Sequence, residues 1–190
     1  MSTTLAAYIG FILLISAERI VELFISHRNA NQAFAQGGLE SGQAHFRVMS
    51  VMHSLFLLCC VAEPLLLHRS FLPALGWPCL GVALTAQGLR WWAISSLGPR
   101  WNVRIIVLPG AEPVTRGPYR FLRHPNYVAV ILEMAVLPLI HSGYLTAVTF
   151  TIINGLMLLV RIRAEEAALG WSYAMVFRPL PRFFPGARRG

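Results

Sequence analysis

The chain has 190 residues, of which 56% are apolar and only 13% are charged, and its mean hydropathy is +0.58. This composition excludes a disordered chain, a coiled coil and almost any soluble globular domain. All 16 basic residues are arginine and all 8 acidic residues are glutamate, which gives a net charge of +8. A basic nucleic-acid-binding domain is not this apolar, so nucleic acid is not expected as a partner. The two properties together indicate an integral membrane protein with arginine-rich faces.

Three stretches in the first half of the chain are candidates for membrane-spanning helices. A helix needs about 20 residues to cross the roughly 30 Å of hydrocarbon in a bilayer. The apolar stretches that reach this length are residues 4–25, 46–67 and 71–97. We therefore expect three long helices before residue 98.

The apolar run over residues 127–160 is too long for one crossing. Pro138 and the turn-forming residues 141–143 divide it into two shorter parts, 127–140 and 144–160. These parts predict a tight helical hairpin, which brings the number of transmembrane helices to five. The fold prediction is an all-α integral membrane protein.

The arginines are unequally shared between the two sides that five spans create. One side carries 13 arginines, on the loop 27–47, the loop 98–126 and the tail that follows residue 161. The other side carries Arg69 alone. Because positive residues favour the cytoplasmic side, we expect the long loop and the C-terminus in the cytoplasm and the N-terminus outside. A site that joins the cytoplasm to the bilayer would be built from the long loop and the tail.

Six ionisable residues lie within or close to the predicted spans, where a charge is costly and usually faces a bundle interior or a wet cavity. They are Glu18, Arg19, Glu22, Glu63, Arg90 and Glu133. The simplest interpretation of Arg90 is an ion pair with a glutamate of another helix. Glu133 follows His124 by nine residues, which places it about half a turn away on a straight helix, so the two need not share a site.

No metal site or disulfide framework is expected. The three cysteines lie in apolar runs, as buried small hydrophobes do, without a CxxC motif or a histidine at ligand spacing; they are Cys59, Cys60 and Cys79. The chain also has no glycine-rich phosphate loop, no HExxH motif and no GxSxG motif. Any cofactor must therefore be held by the loop, the tail and the helix ends.

The long loop ends in a run of basic and aromatic residues over 115–127. Gly117 and Pro118 mark a turn, and Pro125 suits the first turn of the helix that follows. A basic juxtamembrane anchor with aromatic residues at the headgroup level would account for much of this run. Such an anchor does not need His124 between an arginine and a proline, nor two tyrosines that flank the same turn.

Charged residues also follow the last predicted span, over 161–170. Arg161 and Glu165 are spaced i, i+4 and share a helix face. Arg163 and Glu166 form a similar i, i+3 pair. Two surface salt bridges, worth about 0–1 kcal/mol each, are the structural interpretation of this pattern.

These motifs, in this order and placed this way against the predicted membrane, resemble the isoprenylcysteine carboxyl methyltransferase family. The residues that carry the resemblance are Gln87-x-x-Arg90-Trp91, Leu97-Gly98-x-x-Trp101-Asn102, Gly117-Pro118-Tyr119, Arg123-His124-Pro125-Asn126-Tyr127, Arg161-x-x-x-Glu165-Glu166-x-x-Leu169-Gly170, Tyr173 and Pro181-Arg182-Phe183-Phe184-Pro185. The match covers about residues 85–185. It divides a single membrane domain, 1–190, into N-terminal helices, 1–84, and a methyltransferase core, 85–185.

The resemblance implies an integral-membrane methyltransferase that uses S-adenosylmethionine, releases S-adenosylhomocysteine and has no Rossmann domain. It also implies that the cytoplasmic loop and the tail form the cofactor pocket under the last two helices. The residues carried over as cofactor-binding are Glu112, Pro113 and Val114 through their backbone, and Tyr119, His124, Pro125, Asn126, Tyr127 and Glu165. The residues carried over as catalytic are Arg161, between cofactor and acceptor, with Glu165 and Glu166. The chain departs from the family at Val176, where a second tyrosine is common, and this affects the expected tail contacts.

The methyl acceptor is the part that the resemblance leaves most open. The composition and the short five-span form resemble the bacterial branch of the family, similar to enzymes that O-methylate phenolic and polyketide lipids such as alkylresorcinols and alkylpyrones. The partners expected on this basis are the lipid bilayer, here the bacterial inner membrane, and a lipophilic acceptor with a hydroxyl group. A prenylcysteine-like carboxylate and a phospholipid amine are the alternative acceptors.

A phenol or enol acceptor would benefit from a general base, whereas a carboxylate acceptor needs none. The candidates for that base are His124, Glu165 and Glu166. From a different functional class, the alternative is a non-catalytic membrane scaffold or a small transporter, with a polar path through Glu18, Glu22, Arg90 and Glu133.

Overall fold

The computed structural model describes residues 2–183, apart from the side chains of residues 44 and 45, and consists mainly of helices. The α-helices are α1 (Thr3–Ala35), α2 (Gln43–Leu66), α3 (Pro73–Leu97), α4 (Pro125–Val136) and α5 (Tyr144–Phe177). Short 3-10 helices cover Gly98–Arg100, Gly117–Arg120 and Pro138–His141. Two strands, β1 (Leu39–Ser41) and β2 (Ile105–Val107), pair antiparallel and tie the loop after α1 to the loop after α3.

Two of these helices are long and apolar enough to cross a membrane, namely α5 and the part of α2 over Phe46–Leu66. The helix over Pro125–His141 is apolar but shorter. In the described part of the chain the helical architecture and the five α-helices agree with the sequence prediction. That all five helices cross the bilayer stays a prediction.

Helix α1 extends about ten residues beyond the predicted span and occupies part of the predicted loop 27–47. The prediction ended the helix where the apolar run ends, but polar residues such as Asn29 continue it on a face that packs against the protein. The helix ends at Ala35, and Gly37, just beyond its C-cap, adopts φ +81°. The N–H of Gly38 then donates to the carbonyl of Ala33 at 2.8 Å, a hydrogen bond typical of a glycine-terminated helix.

Helix α5 continues past residue 160 to Phe177, where the sequence predicts a polar tail. Its 34 residues are about 50 Å long, and about 20 of them suffice to cross a bilayer. If α5 crosses a bilayer, its last turns, which carry Glu165 and Glu166, project beyond the hydrocarbon. Gly170 interrupts the helical dihedrals with φ +74° and kinks the helix within this projecting part.

The predicted hairpin between α4 and α5 is confirmed. Helix α4 ends at Val136, and the 3-10 turn Pro138–His141 reverses the chain. Glu63, at the end of α2, accepts hydrogen bonds from the backbone N–H groups of Leu145 at 3.2 Å and Thr146 at 2.7 Å. This carboxylate therefore caps the first turn of α5, whose N–H groups have no partner within the helix.

The helices pack on an apolar core to which all five contribute, including Ile12, Phe56, Ala83, Met134 and Phe150. The buried face of α3 is lined by small residues, Ala83, Ala86 and Ala93. Small side chains let neighbouring helices approach closely, which suits the packing of α3 against α4.

Four of the ionisable residues of the predicted spans, Arg19, Glu22, Arg90 and Glu133, form one buried network between α1, α3 and α4. Arg90 donates to both carboxylate oxygens of Glu133, from Nε at 3.1 Å and from Nη2 at 2.7 Å. Its Nη1 lies 3.7 Å from Glu22, and Arg19 Nη1 lies 3.0 Å from the other Glu22 oxygen. The predicted pairing of Arg90 with a glutamate of another helix is thus confirmed. The two arginines are thus paired with these two glutamates, and Glu18 also lies 3.7 Å from Arg19.

Candidate active site

A cavity of about 690 Å³ lies between the long loop and helices α1, α2, α4 and α5. Its wall includes every residue that the sequence predicts for the site except Pro125 and Glu166. The predicted residues that line it are Glu112, Pro113, Val114, Tyr119, His124, Asn126, Tyr127, Arg161 and Glu165. The structure therefore brings two distant segments of the chain together around one space, while the role assigned to each residue stays a prediction.

Arg161 lies on the wall of the cavity and is buried, with 4% of its surface exposed. Its Nε donates to the hydroxyl oxygen of Tyr127 at 2.8 Å, and its Nη2 donates to the carbonyl of Val103 at 2.5 Å. The Tyr127 hydroxyl in turn donates to the carboxylate of Glu165. Among residues 2–183, Nη1 of Arg161 has no hydrogen-bond partner. A third donor of a fixed guanidinium is therefore left for another molecule.

The two salt bridges suggested by the spacing of residues 161–166 do not form within the described part of the chain, so that structural interpretation is wrong. Tyr127 is inserted between Arg161 and Glu165. Glu166 pairs with Arg182 rather than with Arg163. Helix spacing shows which residues share a face, but a partner from another element can offer a better-oriented hydrogen bond than a flexible i, i+4 neighbour.

Glu166 fastens the C-terminal segment instead of lining the cavity. Arg182 donates to both of its oxygens, at 3.0 and 2.5 Å, and His124 Nε2 donates to it at 3.1 Å. Burial alone would raise the pKa of Glu166, but these hydrogen bonds outweigh it and hold the pKa below the ordinary glutamate value. Both oxygens of the Glu166 carboxylate therefore already accept hydrogen bonds, and one of these bonds engages the Nε2–H of His124.

The segment after α5 also pairs with the long loop through its backbone. The N–H of Arg123 donates to the carbonyl of Pro181 at 3.0 Å, and the N–H of His124 donates to that of Arg182 at 3.3 Å. The Arg123 side chain donates to the Leu180 carbonyl at 2.6 Å. These contacts join the segment after α5 to the loop that lines the cavity. Of the motif that suggested them, Phe184 and Pro185 lie outside the described residues.

Aromatic side chains form the wall next to Glu165. Tyr119 and Phe177 are buried and pack together with Tyr173, whose ring centroid is 4.5 Å from that of Phe177. Burial and the nearby Glu165 carboxylate raise the pKa of Tyr119, so its hydroxyl stays protonated. Val176, the position where a second tyrosine is common in the family, is exposed, and its neighbour Phe177 supplies an aromatic ring to this wall.

A glycine turn sets the position of Tyr119. Gly117 adopts φ +61°, and a Cβ at this position would overlap the side chain of Ser96. The preceding Arg116 is fixed by its Nε, which donates to the Ser96 carbonyl at 2.8 Å. Only glycine adopts this positive φ without strain and leaves room for the Ser96 side chain. The Gly-Pro-Tyr motif thus brings the tyrosine against α3.

Comparison with known proteins agrees with this arrangement. Residues 79–170 match the model of the isoprenylcysteine carboxyl methyltransferase family. An uncharacterized protein of Bacillus subtilis, YpbQ, is 41% identical over 161 residues, which is 83% of this chain and 94% of that protein. An uncharacterized protein of Haemophilus influenzae is 29% identical over 158 residues, which is 82% of this chain and 90% of that protein.

The chain belongs to the isoprenylcysteine carboxyl methyltransferase family. Membership indicates a methyltransferase, and the two apolar helices agree with a membrane protein. The matched region contains the loop, α4 and most of α5, which are the elements that carry Tyr127, Arg161 and Glu165. It begins within α3, so α1 and α2 are the part of this methyltransferase outside the family match.

Those two helices nevertheless line the same cavity, which sequence reasoning did not foresee. Arg19 and Glu22 of α1 and His53 of α2 lie on its wall together with Arg90. His53 was not singled out from the sequence. The available signal was a histidine eight positions into an apolar span, where an ionisable side chain by default suggests a function.

Proposed function

We propose that this protein is an S-adenosylmethionine-dependent methyltransferase that O-methylates a hydrophobic hydroxyl acceptor, a phenolic or polyketide lipid, at the membrane interface. The observation that carries the proposal is the lining of the cavity. Residues of the long loop and of α5 line it together with residues of the apolar helices α1 and α2. A water-soluble donor and a lipid acceptor can therefore reach one space.

The residues around Glu165 suit S-adenosylmethionine. The cofactor supplies a methyl group on a cationic sulfonium. Glu165 offers a carboxylate to its positively charged end, and the faces of Tyr119 and Tyr173 suit both a cation and an aromatic base. Asn126 Oδ1 is buried and has no hydrogen-bond partner within residues 2–183, so it is available to an amine donor. Pockets of 300–1,000 Å³ are typical for ligands of this size.

Arg161 is the residue that we assign to the acceptor. Two of its nitrogens are fixed by Tyr127 and Val103, so its remaining donors keep one orientation. A guanidinium held in this way can stabilise the negative charge that develops on an acceptor oxygen, through charge-assisted hydrogen bonds. Holding the reacting groups about 3–3.5 Å apart in a fixed orientation supplies a further part of the rate enhancement.

Of the three candidate bases, Glu165 is the one that the hydrogen bonds favour. Glu166 is saturated by Arg182 and His124, and His124 spends its Nε2–H on Glu166. Glu165 lines the cavity and accepts a hydrogen bond from Tyr127. It is placed to take the proton that an acceptor hydroxyl loses as its oxygen gains the methyl group.

The membrane topology belongs to the same proposal. We place the N-terminus outside the bacterial inner membrane and the loop, the C-terminus and the site in the cytoplasm. In support, the arginine-rich loop and the C-terminal segment pack on each other through Arg123. Arg69 lies at the other end of α2, with its guanidinium over the ring of Tyr144 at the start of α5. The transporter alternative is disfavoured because Arg19, Glu22, Arg90 and Glu133 are engaged in a balanced network.

Titration of the purified full chain in detergent with S-adenosylmethionine, by calorimetry, tests the proposal. We expect binding in the micromolar range and, for Glu165→Gln, binding weaker by about tenfold or more, since a charge-assisted contact is worth about 1.5–3 kcal/mol. Arg163→Ala is the matched control, because Arg163 is exposed on the same helix. No binding at millimolar cofactor would overturn the proposal.

Incubation of the protein with methyl-labelled S-adenosylmethionine and a lipid extract then identifies the acceptor. We expect label in a neutral lipid ether. Label released by mild base would indicate a carboxyl ester, and label in an aminophospholipid would indicate N-methylation. Either result would replace the hydroxyl acceptor by one of the two alternatives.

A further inference from the structure

Three polar side chains of α2 face the membrane-side half of the cavity, and all three have turned their hydrogens away from it. Ser50 Oγ donates to the carbonyl of Phe46 at 2.9 Å, and Ser54 Oγ donates to that of Ser50 at 3.0 Å. His53 Nδ1 lies 2.8 Å from the carbonyl of Met49. A carbonyl oxygen only accepts, so this ring nitrogen carries the hydrogen.

These side chains therefore present lone pairs to the cavity. With Nδ1 protonated, Nε2 of a neutral His53 is an acceptor, and it has no hydrogen-bond partner within residues 2–183. Ser50 and Ser54 keep free lone pairs on hydroxyls whose hydrogens are engaged. We call residues 50, 53 and 54 the acceptor wall.

The neighbouring cations do not supply the missing donors. The charged groups that act electrostatically on His53 are Arg90, Glu133 and Arg19. Arg90 is committed to Glu133 through a pair of hydrogen bonds, and Arg19 donates to Glu22 and Gln87. Within the described residues, this part of the cavity thus combines paired charges, one donor without a partner (Arg19 Nε) and the free acceptors of α2.

We propose that the acceptor wall binds a second hydroxyl of the lipid acceptor, with His53 Nε2 receiving its hydrogen bond. The inference rests on the proposed function and narrows it to headgroups that carry two hydroxyls, one methylated beside Arg161 and one bound at His53. A carboxylate would place lone pairs against lone pairs at this wall. A hydroxyl donates instead, and it satisfies a nitrogen that hydrocarbon leaves without water.

The two arginines that border the cavity, Arg161 and Arg90, contact α4 at two different levels. Tyr127, which contacts Arg161, and Glu133, which contacts Arg90, are six residues apart on α4 and thus about 9 Å apart along its axis. Long arginine side chains reach inward from both levels. A single ring with hydroxyls on different carbons can therefore contact Arg161 and the acceptor wall at once, and its alkyl chain can leave past Leu23 or Leu57.

The test compares two synthetic acceptors with the same chain, 5-pentadecylresorcinol and 3-pentadecylphenol, using the full-length protein in detergent with labelled S-adenosylmethionine. Two equivalent hydroxyls alone would favour the resorcinol twofold. We expect kcat/KM to favour it by about tenfold or more beyond that, which is the worth of one buried hydrogen bond. His53→Leu should reduce the preference to about twofold.

Two further variants make the result specific. His53→Gln retains a carbonyl acceptor and should restore part of the preference, which a merely structural role would not explain. His27→Leu replaces an exposed histidine of α1 outside the cavity and should keep the full preference. The S-adenosylmethionine affinity of each variant, measured in parallel, reports whether the cofactor end is intact.

The outcomes separate this inference from the proposed function. Equal use of the two acceptors by the wild-type protein, or an undiminished preference in His53→Leu, would overturn the acceptor wall while methylation itself stands. Cofactor binding with methylation of a prenylcysteine-like carboxylate or an aminophospholipid, but of neither phenol, would also overturn it. Absence of cofactor binding would remove the proposed function as a whole. If His53→Leu loses cofactor binding, the acceptor preference of the His53→Gln variant tests the acceptor wall in its place.

Discussion

The guanidinium of Arg161 has two nitrogens held by Tyr127 and Val103 and a third that no described residue contacts. This asymmetry distinguishes it from an arginine that only joins helices, such as Arg90. The neighbouring Arg163 is exposed, two residues further along the same helix. The chain therefore offers one arginine directed into the cavity and one directed away from it, close together.

Arg161→Ala should reduce kcat by about 10²–10³-fold, which is typical for the loss of one preorganised donor to a developing anion. Affinity for S-adenosylmethionine should be partly retained, because the residue faces the acceptor rather than the cofactor. Arg163→Ala should change neither quantity by more than about twofold. Single-turnover methyl transfer and calorimetry measure the two effects, and full turnover in Arg161→Ala would assign the acceptor to another residue.

The sequence indicated Arg161 and Glu165 as site residues but not their contacts. Spacing on one helix suggested a direct pair, yet the partner of both is Tyr127, which the chain brings in from α4. The resemblance predicted that all three residues share a pocket, because the motif order encodes which segments meet. It could not give the hydrogen-bond pattern, since this depends on how α4 and α5 rotate against each other.

The contact between α5 and the segment that follows it depends on one carboxylate. Glu166, on the projecting part of the helix, binds Arg182, and Arg182 brings residues 180–182 against the long loop. Arg182 itself is half exposed, with 50% of its side chain accessible, so solvent screens the ion pair. The bidentate geometry and the hydrogen bond from His124 are what make this contact more than a surface pair.

The lowered pKa of Glu166 gives this contact a pH dependence of definite sign. A carboxyl whose pKa is lower in the folded state stabilises that state above its unfolded pKa, near 4.5, and the contribution is lost as pH falls through the folded pKa. We expect the C-terminal segment to loosen below about pH 4.5, measured as faster proteolysis between residues 178 and 183 by an acid-active protease.

The variant Glu166→Gln supplies the control for this pH effect. It should be cleaved faster than wild type at neutral pH, and its cleavage should depend less on pH between about pH 5 and pH 3. An equal pH dependence in the two proteins would assign the effect to another group. Cofactor affinity of Glu166→Gln should fall only a few-fold, because the carboxylate lies outside the cavity wall.

Among the features of the secondary-structure elements, the positions of the helix ends were the ones that the sequence predicted least well. Hydropathy placed the end of α1 near residue 25 and the end of α5 near residue 160, whereas the helices continue to Ala35 and Phe177. The reason is that hydropathy reports the solvent around a helix and not the helix itself. Gly37 and Gly170, which take positive φ, are the positions where the backbone changes, and both were visible in the sequence.

At the scale of the whole molecule, the buried ion pairs connect the half of the chain outside the family match to the half within it. Arg90 lies on α3, Glu133 on α4 and Glu22 on α1. Arg19, Glu22 and Arg90 of this network also line the cavity. Composition could predict that these charges must be paired, because few charged residues stay alone in hydrocarbon. It could not predict that the paired charges would also border the binding space.

Removing one partner of the Arg90–Glu133 pair should destabilise the protein more than removing both. Glu133→Gln leaves Arg90 without its bidentate partner, and breaking a buried pair in this way costs about 3–5 kcal/mol. The double variant Arg90→Met, Glu133→Leu removes both charges and should cost much less, because no buried charge remains without compensation. Melting temperatures in detergent at a fixed heating rate compare the two. A double variant as unstable as Glu133→Gln would mean that Glu22 and Arg19 depend on this pair for their own neutralisation, since Arg90 also faces Glu22 at 3.7 Å.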